Sequence, residues 1–92
     1  MTTQKLLQII HFYRDKFAEL GVSKKKLERE DKLALEDMEW LQHCCVILDE
    51  IEQFVKQGNR QRAYGWICFI QGMLCRMGIY TLEEVRNHNR PV

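Results

Sequence analysis

The sequence predicts an all-α fold, a small helical bundle in a single domain spanning residues 1–92. Three observations carry this. The chain has five Gly and one Pro, too little turn chemistry for a β-sandwich, which needs a turn every ~8–12 residues. A hydrophobic fraction of 46% and a charged fraction of 29% are those of a folded chain rather than a disordered one. Apolar residues recur at helical spacings of three and four. At 92 residues the chain excludes a conventional two-domain enzyme with a cofactor fold.

The first helix is expected from about Thr3 to Leu20. Leu6, Ile10, Tyr13, Phe17 and Leu20 form one apolar face, which Leu7 and Ile9 widen. Gly21 can close it in a left-handed cap. Lys24 to Lys32 are good helix formers with a single apolar side chain, Leu27. Residues 24–35 therefore read either as a solvated first turn or as a link. The second helix is expected from about Leu33 to Gln57. One of its stripes runs through Ala34, Met38, Leu41, Cys45, Leu48 and Val55, the other through Trp40, Cys44, Ile47, Ile51 and Phe54. One stripe serves one neighbour, so two stripes predict two neighbours, within the chain or across an oligomer interface.

Gly58 ends that helix and Asn59 caps the third, Arg60 to Met77. Segments 33–57 and 60–77 thus form a central antiparallel hairpin. Between Ala63 and Cys75 only Gln71 is strongly polar, which predicts a third helix buried all round. Trp66, Ile70, Leu74 and Met77 are expected to pack on Leu41, Cys45, Leu48 and Val55. Gly65 and Gly72 share a face, and each costs ~1 kcal/mol relative to Ala in a helix interior. The expected compensation is close approach of a neighbouring helix, or room for Trp40 or Trp66. Gly78 closes the third helix. Thr81 with Glu84 forms a capping box and Tyr80 with Val85 a hydrophobic staple, starting a short fourth helix at about 82–89.

Net charge is +1, so there is no global electrostatic case for nucleic-acid binding. Its distribution is uneven. Residues 1–26 carry six Lys/Arg and two acids, residues 27–52 two and nine, and residues 53–92 six and two. Either the acidic middle attracts its basic neighbours inside one fold, or an acidic face stays free for a basic partner. Two basic sets sit at segment ends, where their charges remain available: Lys24, Lys25 and Lys26 with Arg29, and Arg86 and Arg90 with His88. These are the candidate partner-binding residues. The arginines rank first, because a guanidinium makes paired hydrogen bonds to carboxylate or phosphate.

Catalytic signals are scarce. Ser23 is the one serine and lacks a nucleophile-elbow context, and no Gly-rich phosphate loop follows a strand. No catalytic residue, cofactor or metal is assigned. His43, Cys44 and Cys45 are consecutive and cannot all ligate one ion, and paired Cys-x-x-Cys spacing is absent. Cys44, Cys45, Cys68 and Cys75 are expected to be free thiols in a reducing cytoplasm. The N-terminus does not read as a secretion signal. No run reaches the ~18 apolar residues of a membrane span.

The segment Trp66-Ile67-Cys68-Phe69-Ile70-Gln71-Gly72-Met73-Leu74, followed by Gly78-Ile79-Tyr80-Thr81-Leu82-Glu83-Glu84-Val85-Arg86-Asn87-His88-Asn89-Arg90-Pro91, resembles the C-terminal half of small, mostly uncharacterised proteins of tailed bacteriophages. The resemblance covers about residues 38–91. Cys68 and Cys75 depart from it, standing where a small and an aromatic residue are expected. It implies a phage accessory product in the cytoplasm of an infected host, and gives no residue a role. Small helical phage proteins of this kind often occupy a surface of a host machine, CRISPR effectors with their guide RNA included. The expected function is therefore a non-enzymatic inhibitor or modulator of a host protein complex, anti-CRISPR-like, with homo-oligomers possible. The alternative is a small phage nucleic-acid-binding or regulatory protein. Its fourth helix would present Arg86, Asn87, His88, Asn89 and Arg90 to phosphate or bases, and its affinity would fall steeply with salt.

Overall fold

The computed structural model describes residues 1–27 and 35–91 and forms four helices on them: α1 (Thr3–Glu19), α2 (Asp37–Lys56), α3 (Arg60–Arg76) and α4 (Leu82–Asn89). Local chemistry sets their ends. Thr2 Oγ1 accepts the Lys5 N–H at 3.1 Å, and Asn59 Oδ1 accepts the Arg62 N–H at 3.2 Å. At α4 the capping box closes both ways. Thr81 Oγ1 accepts the Glu84 N–H at 3.1 Å, and Glu84 Oε1 accepts the Thr81 N–H at 2.9 Å. At the hairpin turn Gly58 has φ +78°. In that conformation Asn59 N–H reaches the Phe54 carbonyl at 2.8 Å and Gly58 N–H the Val55 carbonyl at 3.0 Å. These paired bonds satisfy carbonyls that the helix end leaves open.

The second helix begins later than the sequence suggests, at Asp37 rather than Leu33. Leu33 and Ala34 lie outside the described residues, and Leu35 and Glu36 are non-helical. The reason is a cap hidden in what reads as a solvated acidic face. Glu36 is extended, and the Glu39 carboxylate accepts its N–H at 3.1 Å. Asp37 and Glu39 then sit in the first turn, where the positive end of the helix dipole favours them. Lys24 to Leu27 are likewise not helical.

The core lies where α1, α2 and α3 meet. Leu6, Ile10, Tyr13 and Phe17 of α1 meet Leu41, Cys44, Leu48 and Ile51 of α2 and Ala63, Ile67, Ile70 and Leu74 of α3. α2 packs on both α1 and α3, the two neighbours its two stripes require. Its buried line draws from both stripes, and Met38 at the margin stays exposed. α4 packs on α1 and α3 and buries Val85. Among the described residues no helix is long and apolar enough to cross a membrane.

Candidate functional site

α3 is not buried all round. A helix turns ~100° per residue, so Ala63, Ile67, Ile70 and Leu74 line its inner side while Gly65 and Gly72 fall opposite. Tyr64 lies on one flank between these two sides and Trp66 and Phe69 on the other, 42%, 36% and 41% exposed. Trp66 is thus no core residue, Cys45 and Met77 are half-buried, and the inner contact belongs to Ile67 and Ala63 instead. An apolar stretch without polar markers conceals which way it faces. The two glycines are not explained inside the chain either. A Cβ added at either one would meet nothing within 4 Å, so neither a close helix nor a tryptophan uses the space.

The exposed aromatics continue onto α2. Trp66 and Phe69 meet edge to face at 5.4 Å, and Trp40 meets Phe69 edge-on at 6.5 Å. Beside them Leu35, Asp37, Trp40, Phe69, Met73, Arg76 and Met77 line a cleft of ≈ 470 Å³. Arg62 lies over the Phe54 ring at 4.7 Å, at the other end of α3. Contiguous apolar surface of this kind is characteristic of sites that bind another protein. Sequence reasoning missed this face. Its signal was the glycine pair together with Gln61, Arg62 and Arg76, which share its side of the helix.

The predicted basic residues do not form one patch. Lys24 Nζ pairs with Asp49 at 2.5 Å, and Arg14 of α1 bridges Asp49 at 2.8 Å and Glu52 at 2.9 Å. The acidic middle therefore attracts basic neighbours inside the fold. Burial works against the charges of Arg14 and Asp49. Hydrogen bonds outweigh it, raising the Arg14 pKa and lowering that of Asp49. Lys25 and Lys26 are exposed, and Arg29 lies outside the described residues. Arg86 and Arg90 are exposed on and after α4. Asn89 and Pro91 share a cleft with Thr2 and Lys5 at the start of α1, whereas Lys24 follows the end of α1.

His88 turns inward. Its Nδ1 lies 2.9 Å from the Tyr13 hydroxyl, which accepts a hydrogen bond from Gln71 Nε2 at 3.0 Å. Gln71, 4% exposed, also exchanges two bonds with the Asn89 amide, at 2.7 and 3.1 Å. These residues tie α1, α3 and α4 together. Burial pushes the Tyr13 hydroxyl up to about 12.

No family model, curated protein or solved structure matches this chain.

Among the described residues no group of three or more His, Cys, Asp or Glu is placed to hold a metal ion. The four cysteines are free but unalike. Cys44 is fully buried, and burial pushes its thiol up to about 12. Cys68 is exposed on the α3 outer side, so it is not the core thiol its apolar neighbourhood suggests. Iodoacetamide applied to the folded protein should modify Cys68 and leave Cys44 untouched until the chain is unfolded. Peptide mass spectrometry reads this directly. Equal labelling of the two would contradict the inward placement of Cys44.

Proposed function

We propose that this chain is a non-enzymatic protein-binding module, and that it works as a phage accessory protein by occupying a surface of a host complex. The observation that carries this reading is the aromatic face of α3 with Trp40. A small helical domain gains nothing for its own stability by leaving two tryptophans and a phenylalanine partly in water, while tryptophan and tyrosine dominate the energetics of protein contacts. The likeness to small phage proteins supplies the setting, with a CRISPR effector and its guide RNA as the most specific target. Lys25, Lys26, Arg86 and Arg90 would add electrostatic contacts, which act mainly on the rate of encounter.

The test is the double variant Trp66→Ser, Phe69→Ser, checked for an unchanged helical circular dichroism spectrum. In a host carrying an active CRISPR system, the natural chain should protect an incoming phage and the variant should not. Arg86→Ala with Arg90→Ala should weaken protection less. Full protection by the folded aromatic variant, or none by the natural chain, would overturn the proposal.

A further inference from the structure

We infer that the cleft between the starts of α1 and α3 binds a small phosphate monoester. Its volume is ≈ 760 Å³, within the ~300–1,000 Å³ of small-molecule sites. Gln4, Lys5 and Gln8 line it from one face of α1, since residues three and four apart in a helix are neighbours. Arg60 lines it from the first turn of α3, and Asn89 and Pro91 from the end of α4. The fourth helix runs back along α1 from Tyr80, which lies beside Lys16, and is only eight residues long. The cleft opens where it ends. It shares no residue with the aromatic cleft, so it is a second surface, independent of the proposed docking face.

Charge names the ligand class. Elsewhere the fold pairs its cations, and Arg14, Lys16, Lys24 and Lys56 each meet a carboxylate. Among the described residues Lys5 and Arg60 meet none, and no Asp or Glu lines the cleft. Lys5 is half-buried, so its charge is screened less than that of a lysine in open solvent. The first turns of α1 and α3 border the same space with the positive ends of two dipoles, against one negative end from α4. These partial charges reinforce the two cations. A phosphate monoester carries about −1.5 to −2 near pH 7, which answers both, whereas a single carboxylate leaves one unmatched. The Arg60 guanidinium offers paired hydrogen bonds to phosphate oxygens, and Lys5 a point charge. The cleft is several times larger than a phosphate ion, and the rest of its lining is neutral. The Gln4 and Gln8 amides can bond hydroxyls or ring edges of an organic part, with Pro91 as an apolar wall. Asn89 is already engaged, its amide exchanging bonds of 2.7 and 3.1 Å with Gln71.

The experiment is heteronuclear NMR of the full chain at ~50 mM salt, titrated separately with adenosine monophosphate, inorganic phosphate and adenosine. Adenosine monophosphate should shift the amides of Thr3, Gln4, Lys5 and Arg60 to Arg62 and bind with a Kd of about 1 mM or tighter. Inorganic phosphate should move the same amides about tenfold more weakly, lacking the contacts of the organic part, and adenosine should move none. Lys5→Gln and Arg60→Gln should each weaken the nucleotide about tenfold, with the helical spectrum unchanged. Lys16→Gln removes the same charge ~16 Å further along α1 and should change the affinity less than about twofold, which separates a built site from general attraction. If either cleft variant unfolds, the shift map of the natural chain decides. Shifts centred on Lys25 and Lys26 or on Arg86, equal weakening by Lys16→Gln, or adenosine binding as tightly as its monophosphate would overturn the inference. So would no binding at about 10 mM, or inorganic phosphate binding as tightly as the ester, which would mark a site for the bare anion.

Discussion

Replacing Ile70 with alanine is expected to cost ~2–5 kcal/mol. The side chain is fully buried in the core formed with α1 and α2. Its removal loses the transfer energy of three carbons and leaves a cavity that close-packed neighbours fill only in part. A domain of this size holds ~5–15 kcal/mol in all, so the variant should sit near its unfolding threshold. Each kcal/mol shifts the thermal midpoint of a 60–100-residue domain by ~4–8 °C, which predicts a fall of roughly 10 °C or more. In urea the midpoint should drop with the slope unchanged. Trp66→Ala is the control. Trp66 lies on the same helix but on its outer side, and its loss should cost less than ~1 kcal/mol in the monomer. A small effect at Ile70 with a large one at Trp66 would mean that α3 is rotated about its axis.

That contrast shows what local pattern does and does not encode. The helix ends were legible because caps are local. Gly58 beside Asn59, and Thr81 three residues before Glu84, need only their neighbours to act. The rotation of α3 was not legible, because Trp66, Cys68 and Phe69 are as apolar as Ile67 and Ile70. Only tertiary packing decides which of them meets α2. The start of α2 failed for a related reason. Glu36 and Glu39 read as solvent-facing charge, and nothing in their spacing announces that one carboxylate caps the other's backbone. The candidate site was visible in pieces. Gly65 and Gly72 marked the α3 face, yet its continuation through Trp40 joins residues 29 apart in sequence to Phe69. The roles of Gln71 and His88 were beyond local reading altogether. Their shared partner, Tyr13, is 58 residues from one and 75 from the other.

Tyr13→Phe is expected to cost ~1–3 kcal/mol despite removing a single oxygen, because it strands two polar groups rather than one. Gln71 Nε2 donates to the Tyr13 oxygen, so the phenolic proton is free to point at His88 Nδ1. That geometry requires neutral His88 with its own proton on Nε2. Protonating Nδ1 would set a second donor against an oxygen already receiving one and leave the phenolic hydrogen without its acceptor. The surroundings act in the same direction. Burial lowers the His88 pKa first of all, Lys5 adds to this, and Glu84 opposes both without cancelling them. The unfolded chain therefore binds a proton at His88 more readily than the folded chain. Stability is full above the ordinary histidine pKa of 6.5 and declines as the pH falls from there to the lower folded value. Asp49 and Glu52, whose pKa values are lowered, lose their contribution in a separate and more acidic window. Urea titrations at steps between pH 7.5 and 5 should show this decline in the natural chain and a flatter profile in His88→Gln. Because Tyr13→Phe leaves His88 equally buried, its pH profile should keep most of its slope while the whole curve is displaced downward. An unchanged slope in His88→Gln would show that another group titrates, and that the α1–α3–α4 junction is insensitive to the charge on His88.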